Sequence, residues 1–144
     1  MPGKPIAIAS DHAGYDLKST LVEELQTLGH EVLDLGTFDR ESVDYPDFGK
    51  AVALAVADGR ATRGIAVCGT GIGISIAANR HPGVRAALCH NETTARLSRE
   101  HNDANVLALG ARIIGAEVAK DCLKAFLDTE FAQGRHAPRV AKLG

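Results

Sequence analysis

The segment Gly64-Ile65-Ala66-Val67-Cys68-Gly69-Thr70-Gly71-Ile72-Gly73-Ile74-Ser75-Ile76-Ala77-Ala78-Asn79-Arg80 sets the reading of the whole chain. An apolar run ends in the thiol of Cys68. Glycines then alternate at Gly69, Gly71 and Gly73, and an apolar helical stretch follows. A strand, a glycine turn and a helix N-terminus together make an anion site. Glycine lets the backbone come close to a ligand, and the free N–H groups of the first helical turn face negative charge. Cys68 and Thr70 stand on the rim of that turn. Neither nucleotide motif fits. A dinucleotide loop needs Gly-x-Gly-x-x-Gly, but Ile74 lies three residues after Gly71 and Ile76 three after Gly73. A nucleotide-hydrolase loop ends in Gly-Lys-Ser/Thr, and Gly73 is followed by Ile74. A tight turn that packs a helix on a sheet is the plain alternative to a ligand site.

The rest of the chain bounds the answer. At 144 residues, one domain over residues 1–144 is expected, large enough for a core. Hydrophobic residues make up 45% and charged residues 24%, and the formal net charge is -2. That balance argues against nucleic-acid or membrane-surface partners, which favour a basic excess. No apolar run nears the ~20 residues of a membrane span. The opening Met-Pro-Gly-Lys-Pro lacks the apolar core of a signal peptide, so a cytoplasmic location is expected. Cys68, Cys89 and Cys122 are far apart and form no Cys-x-x-Cys pair. Cys89 and Cys122 fall in apolar patterns and read as packing residues. The six histidines include no His-x-x-x-His pair, so no helical metal site is indicated.

Short β-type runs alternate with helical patterns. The strands are residues 4–10, 31–35, 64–68, 84–89 and 105–109. The first helix places Leu17, Leu21, Leu25 and Leu28 on one face and ends at Gly29. After a polar loop, residues 36–45, Pro46 opens a second helix that runs to about Asp58. A third follows the glycine loop. Asn91 caps a fourth that runs to about Glu100, and a fifth covers residues 115–129. Strands alternating with helices imply a parallel sheet covered on both faces, and the uniformly apolar runs Ile6-Ala7-Ile8-Ala9, Ile65-Ala66-Val67 and Val106-Leu107-Ala108-Leu109 suit strands buried on both sides. The expected fold is α/β: a doubly wound, five-stranded parallel sheet with helices on both faces. Residues 133–144 form a basic tail carrying Arg135, His136, Arg139 and Lys142, either solvated or clamped on an anion.

Such sheets bind ligands at their C-terminal strand ends. Asp11 and His12 follow the first strand, Cys68 and Thr70 the third, and Arg112 the fifth, all at that edge. His101 and Asn102 lie in the turn before the fifth strand and so start at the opposite edge. They would join Cys68 only from a neighbouring chain or through an unusual turn. Singly, each residue has a plain reading: Asp11 as a helix cap, His101-Asn102-Asp103 as a polar turn, Arg135 and Arg139 as one exposed helical face. Together an acid, a thiol, imidazoles, a hydroxyl and guanidiniums around an anion loop suit proton transfer on a phosphorylated small molecule.

Five motifs in order carry a resemblance across nearly the whole chain. They are Ser-Asp-His-Ala-Gly at 10–14, Asp-Tyr-Pro at 44–46, Cys-Gly-Thr-Gly-Ile-Gly at 68–73, His-Asn-Asp-Ala-Asn at 101–105 and Gly-Arg-His-x-x-Arg-Val at 134–140. With these the chain resembles the ribose-5-phosphate isomerase type B and galactose-6-phosphate isomerase family. The resemblance implies a Rossmann-like α/β sandwich in a homodimer or a dimer of dimers, with two chains sharing each active site. His101 and Asn102 would then come from the partner.

The implied reaction interconverts an aldose phosphate and a ketose phosphate, with ribose 5-phosphate preferred. Cys68 would remove the proton next to the carbonyl, and His101 would open the furanose ring. Thr70 and Asp11 would handle the sugar oxygens, with Asn102 assisting. The N–H groups of Gly69, Thr70, Gly71, Ile72 and Gly73 would stabilise the enediolate. His12, Arg112, Arg135 and Arg139 would hold the phosphate. No metal or organic cofactor is needed. A thiolate base needs positive partial charge beside it, which the helix N-terminus and arginines would supply. Some relatives use a Glu where Ile74 stands here, so this chain falls in the thiol-base branch. Allose 6-phosphate, galactose 6-phosphate and tetrose phosphates are the alternative substrates, with the choice resting on the 36–45 loop. Two rivals from other classes are a flavodoxin-like carrier, disfavoured by no Trp, two Tyr and four Phe, and a non-catalytic sugar-phosphate sensor.

Overall fold

In the computed structural model, which describes residues 3–144, the apolar runs become five parallel strands: β1 (Ile6–Ser10), β2 (Val32–Asp34), β3 (Arg63–Cys68), β4 (Ala86–Leu88) and β5 (Val106–Gly110). Their spatial order is β2-β1-β3-β5-β4, with Ile8 beside Ile65 and Val67 beside Leu109. Six helices join them: α1 (Tyr15–Thr27), α2 (Tyr45–Ala57), α3 (Ile72–Ala78), α4 (Glu92–Asn102), α5 (Ala116–Asp128) and α6 (Ala137–Ala141), the last preceded by a 3-10 turn, Gly134–His136. The expected doubly wound sheet is thus present.

The strands that read as uniformly apolar in fact alternate by size. Ile6, Ile8, Ile65, Val67, Leu107 and Leu109 turn to one face, where Leu17, Leu21 and Leu25 of α1 and Cys122, Leu123 and Phe126 of α5 close over them. The other face carries mainly small residues, Ala9, Ala66, Cys68 and Ala108, and takes α2 and α3. Small strand residues let those two helices lie close. Gly49 of α2 lies so near α3 that a Cβ there would sit 2.8 Å from Ala77 Cβ. Each fully buried Leu or Phe contributes about 1.5–3 kcal/mol.

Four details depart from the sequence expectation. Leu28 falls just past the end of α1 and is exposed. Beside Leu17 the helix instead buries Lys18, 2% exposed, whose ammonium pairs with Asp34 at 2.6 Å. The fourth strand is three residues long and lies at the sheet edge, where the side-chain amide of Asn79 accepts from Ala86 N–H at 2.7 Å and donates to Ala86 O at 2.9 Å. The last turn of α4 takes in His101 and Asn102, which the sequence reading placed in the following turn. Asn91 does cap that helix, accepting from Thr94 N–H at 2.8 Å. The basic tail carries the 3-10 turn and α6, with Arg135, Arg139 and Lys142 exposed, in keeping with its solvated reading.

The order β2-β1-β3 puts a topological switch point between β1 and β3. The chain leaves β1 for one side and returns on the other, which opens a crevice at the C-terminal ends of these two strands. Gly71 turns the chain there with φ +78°, and a Cβ at this position would lie 2.8 Å from the Leu109 carbonyl carbon. Gly71→Ala is therefore expected to cost about 2–4 kcal/mol, from left-handed backbone and overpacking combined. Thermal unfolding checks this. An unchanged midpoint would mean the loop relaxes freely.

Candidate active site

A cleft of about 480 Å³ opens at the switch point. Asp11 and His12 reach it from the end of β1, Cys68 and the glycine loop from the end of β3, and Arg112 from beyond β5. The β1 and β3 ends are tied directly, since Asp11 N–H donates to Val67 O at 3.2 Å. The Asp11 carboxylate accepts from Gly14 N–H at 3.1 Å and so also shapes the entry to α1. The N-cap of α1 is Gly14, so Asp11 shapes the turn ahead of the helix and is not the helix cap its sequence position suggested.

Cys68 is 4% exposed at the floor of this cleft. The N–H of Gly71 donates to its sulfur at 3.1 Å. Thr70 Oγ1 accepts from the N–H of Ile72 at 3.2 Å. Two of the five loop N–H groups expected to face an oxyanion therefore already have partners. The remaining donors lie on Gly69, Thr70 and Gly73, the last in the first turn of α3, where N–H groups lack intrahelical partners. Arg112 lies across the loop, so that a Cβ on Gly69 would sit 3.5 Å from its Nη1. Its own N–H donates to Gly69 O at 2.8 Å. The ring of Tyr45 covers Gly73 so closely that a Cβ there would lie 2.5 Å from its Cε1.

His12 is held by the polar loop of residues 36–44. Its Nδ1 accepts from Val43 N–H at 3.1 Å. A ring nitrogen that accepts is unprotonated, so the proton of this imidazole sits on Nε2. Nothing in the spacing of that loop and His12 along the chain reveals the latch.

His101 and Asn102 are not in this cleft. They line a second one, of about 430 Å³, with Arg135, His136, Arg139, Val140 and Leu143. The two clefts share no residue. The reason is directional. A helix between parallel strands runs antiparallel to them, so α4 ends where β5 begins, at the sheet edge opposite Cys68. His136, counted in the sequence only among the basic tail residues, stacks on His101 with ring centroids 4.4 Å apart and planes 16° from parallel. Partial desolvation, and then the positive charge of His101, Arg135 and Arg139, holds the His136 imidazole below the ordinary histidine value, while Glu100 opposes the shift. Its neighbour Arg135 in Gly-Arg-His was the only sequence signal for it.

Cys89 and Cys122 are buried in the larger core cluster, as their apolar contexts imply. Burial, offset in part by bonds from Thr94 and Ser98, raises the Cys89 thiol. Burial first, and then Cys89 and Asp121, push Cys122 up to about 11. Among the described residues no three His, Cys, Asp or Glu side chains gather as a metal site, and no helix is long and apolar enough to cross a membrane.

A thiol, a carboxylate and an arginine grouped over a glycine loop at a sheet's switch point place this chain among α/β enzymes with a cleft at the C-terminal strand ends. The family model of ribose/galactose isomerases matches residues 6–143, and the chain belongs to that family. It is 50% identical to ribose-5-phosphate isomerase B of Escherichia coli over 95% of this chain and 92% of that one. It is 48% identical to D-erythrulose-4-phosphate isomerase of Pectobacterium atrosepticum, covering 96% of this chain and 92% of that one. The structure of ribose-5-phosphate isomerase B from Clostridium thermocellum superposes with a TM-score of 0.96 at 57% identity, covering 97% of this chain and 95% of that one.

Proposed function

We propose that this chain interconverts ribose 5-phosphate and ribulose 5-phosphate, as a single domain of residues 1–144 that works in homodimers or dimers of dimers with shared active sites. The observation that carries the reading is the division of the chemistry between two clefts at opposite sheet edges. One holds the base Cys68 with Asp11, Thr70 and the loop. The other holds His101, Asn102, Arg135 and Arg139. Neither is a complete isomerase site, and a second copy supplies what each lacks. Ile72, Ile76 and Ile113 expose roughly half their surface, and Ile72 and Ile76 are themselves lining residues of the Cys68 cleft. Isolated apolar side chains need no explanation, but a group of this kind at a cleft suits a covered surface.

In this reading His101 of the partner subunit protonates and opens the furanose ring. The Cys68 thiolate takes the proton from C2, and the electron pair moves to the C1 carbonyl oxygen to form the enediolate. N–H groups of Gly69, Thr70 and Gly73 stabilise that charge. Asp11 and Thr70, with Asn102 of the partner subunit, move protons between the two sugar oxygens. The proton held on sulfur returns to C1, which yields the ketose. His12 offers Nε2–H, and Arg112 and the partner's Arg135 and Arg139 offer guanidinium forks to the phosphate. Fixed dipoles carry the developing charge, so neither a metal nor an organic cofactor enters the scheme. The enzyme would work in the cytoplasm, where phosphorylated sugars are retained.

The 48% identity to an erythrulose 4-phosphate isomerase favours one second reading, a four-carbon substrate in the same site. A panel of four- to six-carbon aldose and ketose phosphates separates the two. Fastest turnover is expected on ribose 5-phosphate. A kcat/KM that peaks on a four- or six-carbon phosphate moves the substrate and leaves the chemistry. Binding without turnover on any member overturns the isomerase reading in favour of a sensor.

A further inference from the structure

Arg99 is a guanidinium in an almost closed place. It is 5% exposed, in the last turn of α4, two residues before His101. A buried charge is costly unless paired and hydrogen-bonded. Here Nη1 donates to Asp103 Oδ1 at 2.8 Å and to Ala104 O at 2.7 Å, while Nε donates to Thr129 O at 3.0 Å. Asp103 ends α4 in the left-handed region at φ +47°, unusual for a residue with a side chain. Arg85 grips the same residue, with Nε on Asp103 O at 2.8 Å and Nη2 on Oδ2 at 3.3 Å.

The bond to Thr129 is the informative one, because Thr129 starts the segment that leads to Arg135. Two further ties follow in step. Ala132 N–H donates to Glu100 O at 3.1 Å, and the His136 ring stacks on His101. Residues 99, 100 and 101 of α4 thus hold residues 129, 132 and 136. The first of these rungs is a hydrogen bond from the buried Arg99 guanidinium to a backbone carbonyl, and the last is between two aromatic rings in the second cleft.

Building on the shared-site isomerase reading, we infer that Arg99 is a positioning residue that sets the register between the end of α4 and the C-terminal segment. It makes the ring-opening His101 and the phosphate-holding Arg135 and Arg139 one rigid unit for presentation to the Cys68 cleft of a second copy. It touches no substrate. Its effect reaches the reaction through the placement of groups on both sides of the register. A misplacement on the order of 1 Å costs roughly a hundredfold in rate at such sites.

Arg99→Lys tests this, since an ammonium keeps the charge but loses the planar fork that spans three acceptors. With ribose 5-phosphate, the expected result is a roughly tenfold fall in kcat and a roughly tenfold rise in KM, in a protein that still melts cooperatively. In a His101→Ala background the kcat effect shrinks to less than about twofold, while the KM effect persists through the loosened arginines. An equal kcat loss in both backgrounds, or an unchanged KM, overturns the inference and leaves Arg99 as a stability residue. If Arg99→Lys does not fold, Asp103→Asn enters the same cycle with the same deciding outcomes. Calorimetric binding of inorganic phosphate gives a readout independent of turnover. Roughly tenfold weaker binding by the Arg99 or Asp103 variant supports the inference, and unchanged binding overturns it, even if the wild type turns over no ribose 5-phosphate.

Discussion

Co-expression of a Cys68→Ser chain with a His101→Ala chain is expected to restore turnover that neither has alone. In one chain, Cys68 closes β3 at the C-terminal edge of the sheet, and His101 ends α4 at the opposite edge, in clefts with no residue in common. A site built from both must therefore draw on two chains. Random pairing of equal amounts makes half the dimers mixed. Each mixed dimer has one intact site, where Cys68 of one chain meets His101 of the other, and one site with both defects. The mixture should reach roughly a quarter of wild-type activity. Each variant alone should fall by about 10²–10⁴-fold, the range for loss of a positioned acid or base. Assays on mixed dimers isolated through two different tags decide the matter. Activity no greater than the sum of the two pure variants would place the whole site within one chain and overturn the shared-site reading.

Cys68→Ser alone should lower kcat by about 10³–10⁴-fold on the best substrate with little change in KM, because a hydroxyl is a far weaker source of base than a thiol and the binding groups stay in place. The hydrogen bond from Gly71 N–H aims at the sulfur and would meet a shorter, less polarisable oxygen. Alkylation gives the complementary result. Iodoacetamide should label Cys68 first and abolish turnover, with protection by substrate, because Cys68 lines the cleft. Cys122, buried and pushed up to about 11, and Cys89, raised by burial, should stay unlabelled in the native protein. Full activity of Cys68→Ser, or loss of activity that tracks labelling of Cys89, would remove Cys68 from the chemistry.

The parallel sheet was readable because strands buried on both faces cannot alternate polar with apolar residues, and the runs at 6–9, 65–67 and 106–109 do not. Their alternation of large and small residues was visible too, but its meaning was not. Only the packed sheet shows that the Ile, Val and Leu side takes α1 and α5 while the Ala side takes α2 and α3. Lys18 could not be read as buried, because its partner Asp34 is distant in sequence and lies on another element.

Chain order alone determined the fold class, and with it the gathering of Asp11, His12, Cys68 and Arg112 at one edge: in a parallel sheet every strand ends on the same side, so residues that follow strands meet. The same rule set His101 apart at the other edge. The tertiary structure decided the contacts between segments that are not neighbours in the chain. It put the Val43 N–H on His12, committed the Gly71 and Ile72 N–H groups to Cys68 and Thr70, folded the tail, and brought His136 onto His101 and Thr129 onto Arg99. Hydrogen bonds and ring stacking act over a few ångströms, whereas sequence patterns report only the period of a segment and the polarity of its surroundings. Which donor meets which acceptor is settled when the layers pack.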